Sequence, residues 1–138
     1  MVHQQRLQLS TDGHGDMHDL TERVGRVVAE AGIEAGTVNV SNVGSTAAVS
    51  TIEFEPGLQK DLPEKLDELI PPSRDYGHEQ RWHDGNGHSH LQATTLGPSV
   101  TLPVGDGQPI LGTWQQICFL ECDVKPRDRT VIVTVQGE

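Results

Sequence analysis

From Ser99 to the C-terminus the chain reads as one strand after another. SVTLPV, LGTWQQICFLECD and TVIVTVQ are rich in β-branched and aromatic residues and are parted only by turns such as GDG and PRDR. Connections this short cannot carry a chain back to a parallel neighbour, which takes about a dozen residues, so antiparallel pairing follows. Upstream, HQQRLQLST alternates polar and apolar and predicts a first strand ending at DGHGD. GTVNVSNV and TAAVSTIEF predict two more, with Gly44-Ser45-Thr46 as a bend or bulge between them.

Two stretches carry a helical period instead. In DLTERVGRVVAEAGI, Leu20, Val24, Val27 and Val28 form one stripe; Asp19 is placed to cap the first turn, with Glu22 as its capping-box partner, and Gly32 to end the helix. In GLQKDLPEKLDELI, Leu58, Leu62, Leu66, Leu69 and Ile70 share a face. Pro63 is awkward inside a helix, so the helix proper is expected to begin there and to stop at Pro71-Pro72. Ser73 to Gly87 has no periodicity and predicts a loop of about fifteen residues, a length more often functional than idle. A short helix or turn is expected around Ser89 to Thr95. Two main helices on an antiparallel sheet make an α+β fold, and residues 1–138 suit a single domain.

A formal charge of −10 argues against nucleic-acid binding, which needs a basic surface. Lys60, Lys65 and Lys125 are the only lysines, against seven arginines. Such an acidic, lysine-poor chain suits a halophile's high salt, where screening tolerates self-repulsion, or an ordinary acidic cytosolic protein. No apolar run approaches the ~20 residues of a membrane span, and the N-terminus lacks a signal-like apolar region, so a cytoplasmic protein is expected. Cys118 and Cys122 would lie roughly 13 Å apart along a strand, too far for a disulfide, and read as reduced core residues.

The densest chemistry is YGHEQRWHDGNGHSH, which holds four of the seven histidines: His78, His83, His88 and His90. Imidazole is the commonest protein ligand for divalent transition metals, and Glu79 and Asp84 lie in the same stretch. On an extended segment His88 and His90 share a side; on a helix they diverge by about 200°. A metal or catalytic site and a solvated polar turn both fit this composition. His14 and His18, at a glycine-rich turn, read as surface residues. Gly44-Ser45-Thr46 offers hydroxyls and backbone donors for an anion, or is a plain bulge; Arg74 and Arg81 can meet phosphates or balance nearby carboxylates. Glu53, alternating with Ile52 and Phe54, faces away from the apolar side.

GSTAAVSTIEFEPG, YGHEQRWHDGNGHSHLQATTLGPSVTLPV, LGTWQQICFLECD and PRDRTVIVTV, in this order and spacing, resemble the YjbQ family, and its archaeal members above all. The resemblance covers about Gln8 to Glu138. It implies a compact α+β domain with a β-sandwich-like core, assembled as a homotrimer. It further implies activity as a secondary thiamine-phosphate synthase, which joins hydroxymethylpyrimidine diphosphate to a thiazole phosphate and releases pyrophosphate. A histidine-lined pocket for a divalent metal, zinc by ligand type, is implied too. Residue by residue it points to His78 and His90 as metal ligands and to Glu53, Asn86 and Gln115 as catalytic residues. Gly44, Ser45, Thr46 and Arg81 would meet phosphate. Gly44 stands where many members have a histidine, and His88 is expected to supply the missing imidazole. Mg²⁺, the usual diphosphate partner, prefers oxygen to imidazole, so the thiamine reaction is expected as a side activity. A metal-dependent hydrolase and a noncatalytic trimer that binds a metal or metabolite are the alternatives.

Overall fold

The computed structural model describes residues 1–138. Eight strands and four helices follow in the order β1 (Val2–Ser10), β2 (Met17–Asp19), α1 (Thr21–Ala31), β3 (Ala35–Asn42), β4 (Ala47–Ile52), α2 (Pro56–Leu69), α3 (Gly77–Trp82), α4 (Gly87–Leu96), β5 (Ser99–Gly105), β6 (Gln108–Pro109), β7 (Gln116–Glu121) and β8 (Asp128–Gly137). They build two sheets, β1-β8-β3-β5-β6 and β2-β7-β4. Every pairing is antiparallel, as the short turns require. At the β5–β6 hairpin, Asp106 and Gly107 take φ of +51° and +71°, the left-handed pair that matches strand twist.

The three-stranded sheet is the middle layer, and strand alternation sorts its side chains. Ile117 and Phe119 join Ala47 and Val49 in the main core, against Val38, Val40, Val131, Val133 and Val135 of the larger sheet and Val24, Val27 and Val28 of α1. Leu120 and Cys122 face the other way, onto Leu66 of α2 and Ala93 of α4. Phe119 is fully buried, and a side chain of that size contributes roughly 1.5–3 kcal/mol by leaving water. Cys118 and Cys122 are free and buried. Burial pushes each thiol up to about 12. No helix is long and apolar enough to cross a membrane.

The sequence expectations need three corrections. Helix α2 begins at Pro56, not Pro63. Glu55 accepts from the backbone N–H groups of Gly57 (2.8 Å) and Leu58 (2.6 Å), so the first turn is capped there, and the helix runs on through Pro63 with one internal bond missing. The predicted loop before Gly87 contains α3; the short helix or turn expected around Ser89 to Thr95 is the ten-residue helix α4, so there are four helices. At α1, Asp19 does accept from Thr21 N (2.9 Å), but the N-cap position is Leu20, and Glu22 reaches towards Arg26 instead of back to the cap.

Candidate functional site

Helices α3 and α4 meet at a tight corner. Tyr76 O–H donates to the Pro71 carbonyl (2.7 Å) and anchors the start of α3. His83 ends α3 in the left-handed conformation, and Asp84, Gly85 and Asn86 lead straight into α4. Glu79, on α3, is 4% exposed. Its Oε1 accepts from the Gly87 N–H at the mouth of α4 (2.8 Å), where a helix presents free donors. Its Oε2 is sealed from solvent and has no partner. Gly87 makes this approach possible: a Cβ there would lie 2.7 Å from Glu79 Oε2 and 3.0 Å from Tyr76 Cβ.

The ligand atoms of His78, Glu79 and Asp84 all lie within 4.8 Å of one another. His78 Nε2 is 3.1 Å from Asp84 Oδ1. The His90 ring lies beside that of His78, centroids 4.6 Å apart. The buried Asn86 amide can face this group in two ways. With its nitrogen inward it donates to Asp84 (2.8 and 3.2 Å) and to His78 Nε2 (2.8 Å). With its oxygen inward the nitrogen instead reaches Asp123 Oδ1 at 3.4 Å, and acceptors face one another. That second arrangement leaves the amide oxygen facing acceptors, which a proton on His78 Nε2 or a bound cation would relieve. The unpartnered Glu79 oxygen and this set of nitrogen and oxygen donors fit a divalent transition ion.

His88 does not join the group. Because the segment is helical, His88 and His90 leave α4 on opposite sides. His88 is 2% exposed, lies edge-on to His14 (centroids 5.4 Å apart), and its Nδ1 has no partner. Burial, with the nearby His14, holds the His88 imidazole below its usual pKa. His14 is no surface ornament: Nδ1 meets the Cys122 carbonyl (3.1 Å) and Nε2 meets Asp67 (2.8 Å). The two rings line a cleft of about 410 Å³ with Arg74, Ser73 and Gly85.

Beneath the corner runs a buried polar network. Asp123 Oδ2 accepts from Arg127 Nε (2.9 Å), Arg127 Nη2 (2.6 Å) and Thr46 Oγ1 (3.0 Å). Burial works to raise the Asp123 pKa. The bonds from Arg127, Val124 N and Thr46 outweigh it and hold the carboxyl below its ordinary value. Glu121, fully buried, is paired with Arg129 and accepts from Thr11 Oγ1 (2.8 Å). Thr46 Oγ1 also accepts from Arg129 Nη2 (2.9 Å), so this hydroxyl is spent on the network and does not face a ligand.

The remaining candidates lie elsewhere. Gly44 and Ser45 wall a cleft of about 320 Å³ with Ala47, Ala93, Thr94 and Pro98. Arg81 is exposed and stacks on Trp82, 5.2 Å from the ring centre. Gln115 holds its own turn, accepting from Gly112 N (2.9 Å) and donating to Thr51 Oγ1 (3.1 Å). Glu53 is exposed just past β4. Both sit at the end of the β4–β7 pair opposite Thr46 and Asp123. The seven residue-to-residue steps from Thr46 to Glu53 along β4 span about 23 Å, so one chain does not bring Glu53 and Gln115 to the histidines. Glu121, Asp123 and Arg129, which support the corner, belong to no catalytic or ligand motif in the sequence. The available signal was charge inside apolar runs, in CFLECD above all.

A profile of the family described as UPF0047 protein YjbQ-like matches residues 5–138. A UPF0047 protein of Methanothermobacter thermautotrophicus is 39% identical over 99% of this chain and 94% of its own. One of Archaeoglobus fulgidus is 41% identical over 92% and 96%. The crystal structure of a YbjQ-like protein of unknown function from Sulfolobus solfataricus superposes with a TM-score of 0.93 at 34% identity, covering 100% of this chain and 99% of that one. A hypothetical protein from Aeropyrum pernix gives 0.90 at 34%, covering 99% of each chain.

Proposed function

This chain belongs to the YjbQ-like UPF0047 family, and we propose that within it the protein is a metal-dependent enzyme acting on a phosphorylated small molecule. The observation that carries this reading is Glu79, a buried carboxylate with one oxygen unpartnered, which shares a group with His78 and Asp84. A buried carboxylate left half-satisfied is unfavourable by several kcal/mol until a proton or a cation completes it. One ligand atom each from His78, Glu79 and Asp84 would hold the ion, with the Asn86 amide and the His90 ring beside them. The set is richer in oxygen than a histidine cage, which suits a zinc-like ion that also meets phosphate oxygens.

Thiamine-phosphate-synthase chemistry is the leading candidate reaction. A divalent ion held by His78, Glu79 and Asp84 would supply positive charge for a diphosphate leaving group. Asn86, whose amide nitrogen reaches Asp123 in one orientation and Asp84 with His78 in the other, lies against the group, and the network under it holds the corner in place. Glu53 and Gln115 reach a ligand bound at the corner only from a second copy of the chain, which favours a homotrimer with shared sites.

The test is metal analysis of the purified protein, followed by an assay of pyrophosphate release from the two thiamine precursors, with and without chelator. Retained zinc-type metal, and turnover lost on chelation, are the expected results. Glu79→Gln is expected to lower metal affinity at least tenfold while leaving the metal-free protein as stable or more so, since it removes an orphaned charge. Unchanged metal affinity in that variant would remove Glu79 from the site. Metal bound without turnover would favour a binding protein, and phosphate release from other substrates a hydrolase.

A further inference from the structure

We infer that the cleft lined by His14, His88 and Arg74 is a binding site for a small monocarboxylate, held by Arg74, the His88 ring and the Ser73 hydroxyl and separate from the metal group. The cleft has a volume of about 410 Å³. The chain carries 20 acidic and 10 basic residues, yet no Asp or Glu lines this cleft, whereas an arginine and two histidines do. Arg74 makes one hydrogen bond within the chain, from Nη1 to the His83 carbonyl (3.2 Å), and no ion pair. Its guanidinium rests against Gly85: a Cβ there would lie 3.0 Å from Nη2 and 3.1 Å from Cζ, so only glycine leaves the group its place. Nε and Nη2 stay free, and together they form the fork that matches the two oxygens of a carboxylate. Arg127 and Arg129 use that same edge on Asp123 and Glu121.

His88 supplies the second contact. It is 2% exposed, and its Nδ1 is sealed from solvent without a partner. A proton on Nδ1 would be stranded, so the neutral ring carries its proton on Nε2 and offers the cleft one N–H donor. Ser73 Oγ accepts from Asp75 N (3.0 Å) and keeps its own proton to donate. Two donors from Arg74, one from His88 and one from Ser73 match the roughly four acceptor positions of a carboxylate. The carboxylates behind the lining are engaged: Asp67 with His14 Nε2 (2.8 Å) and Gln92 Nε2 (2.8 Å), and Asp123 with Arg127. Arg74 is thus the one cation on the cleft without a carboxylate partner. A single free charge suits a monoanion better than a phosphate monoester, which carries about −1.5 to −2. Pro72 and Val124 add apolar wall for a short aliphatic tail. His88 and His90 leave α4 on opposite sides, so this site and the metal group are reached from different faces, and neither reading depends on the other.

The test uses full-length protein in excess chelator, titrated with butyrate, its neutral isostere butyramide and inorganic phosphate, with chloride holding ionic strength constant. The ¹H–¹⁵N signals of the Arg74 guanidinium, the Gly85 amide and the His88 ring are followed. Saturable shifts at all three with butyrate, none with butyramide, and weaker binding of phosphate are expected. Arg74 is exposed and its loss frees only the His83 carbonyl, so Arg74→Ala is expected to fold and to weaken butyrate binding about tenfold or more, read at Gly85 and His88. Shifts confined to Arg74, an equal response to butyramide, phosphate bound as tightly as butyrate, or unchanged affinity in Arg74→Ala would each overturn the site, whatever the metal analysis returns.

Discussion

At the scale of single residues, His88 shows how burial alone sets chemical state. It lies on α4 with 2% exposure and one ring nitrogen unpartnered, and its native pKa is lowered by desolvation first and by His14 second. Above about pH 6.5, the ordinary histidine value, folded and unfolded chains both hold it neutral and it has no effect on the balance. As pH falls through that value the unfolded chain takes up a proton that the native chain refuses. Stability therefore declines until the lower native pKa is reached, by at most about 1.4 kcal/mol per pH unit. Urea unfolding at pH 7.5 and 5.5 measures this, and His88→Asn is expected to remove that part of the loss.

At the scale of elements, α2 sets a cap against a proline. Pro63 lies eight residues into a fourteen-residue helix, where it forgoes a bond to the carbonyl four residues earlier. The Glu55 cap holds the helix across it. Pro63→Ala is expected to stabilise the protein by about 1 kcal/mol or more in chemical denaturation, short of the ~3 kcal/mol propensity difference because Pro63 also packs near Gly15. Helices α3 and α4 are the contrary case. Neither has a side-chain cap, and α4 has no amphipathic stripe: Gly87, His88, Ser89, Gln92 and Ala93 are its buried residues. They persist because tertiary contacts hold them, Glu79 on Gly87 N among them.

At the scale of the whole molecule, the Glu121–Arg129 pair ties the two sheets together, since Glu121 ends β7 and Arg129 lies on β8. Removing one partner strands a buried charge. Glu121→Gln or Arg129→Met is each expected to destabilise by roughly 3–5 kcal/mol, whereas Glu121→Leu combined with Arg129→Met loses less than the sum. A double-mutant cycle by denaturant unfolding reads that coupling. The same network underlies Thr46 and Asn86, so the single mutants are also expected to loosen the corner where His78, Glu79 and Asp84 meet.

The sequence by itself determined six of the eight strands, all but the short β2 and β6, together with the two amphipathic helices and the antiparallel pairing, because alternation, helical period and turn length are local properties. It also marked YGHEQRWHDGNGHSH as the stretch carrying most of the chemistry. Only the tertiary structure decided how those residues divide. Once Gly87–Leu96 is helical, His88 and His90 part, and the partners change: Glu79 and Asp84 lie with His78, and His14 lies with His88. That helix has no apolar period to announce it. The burial of Glu79, Glu121 and Arg129 was likewise hidden, because what offsets a buried charge is a partner far along the chain, and one-dimensional spacing does not record it.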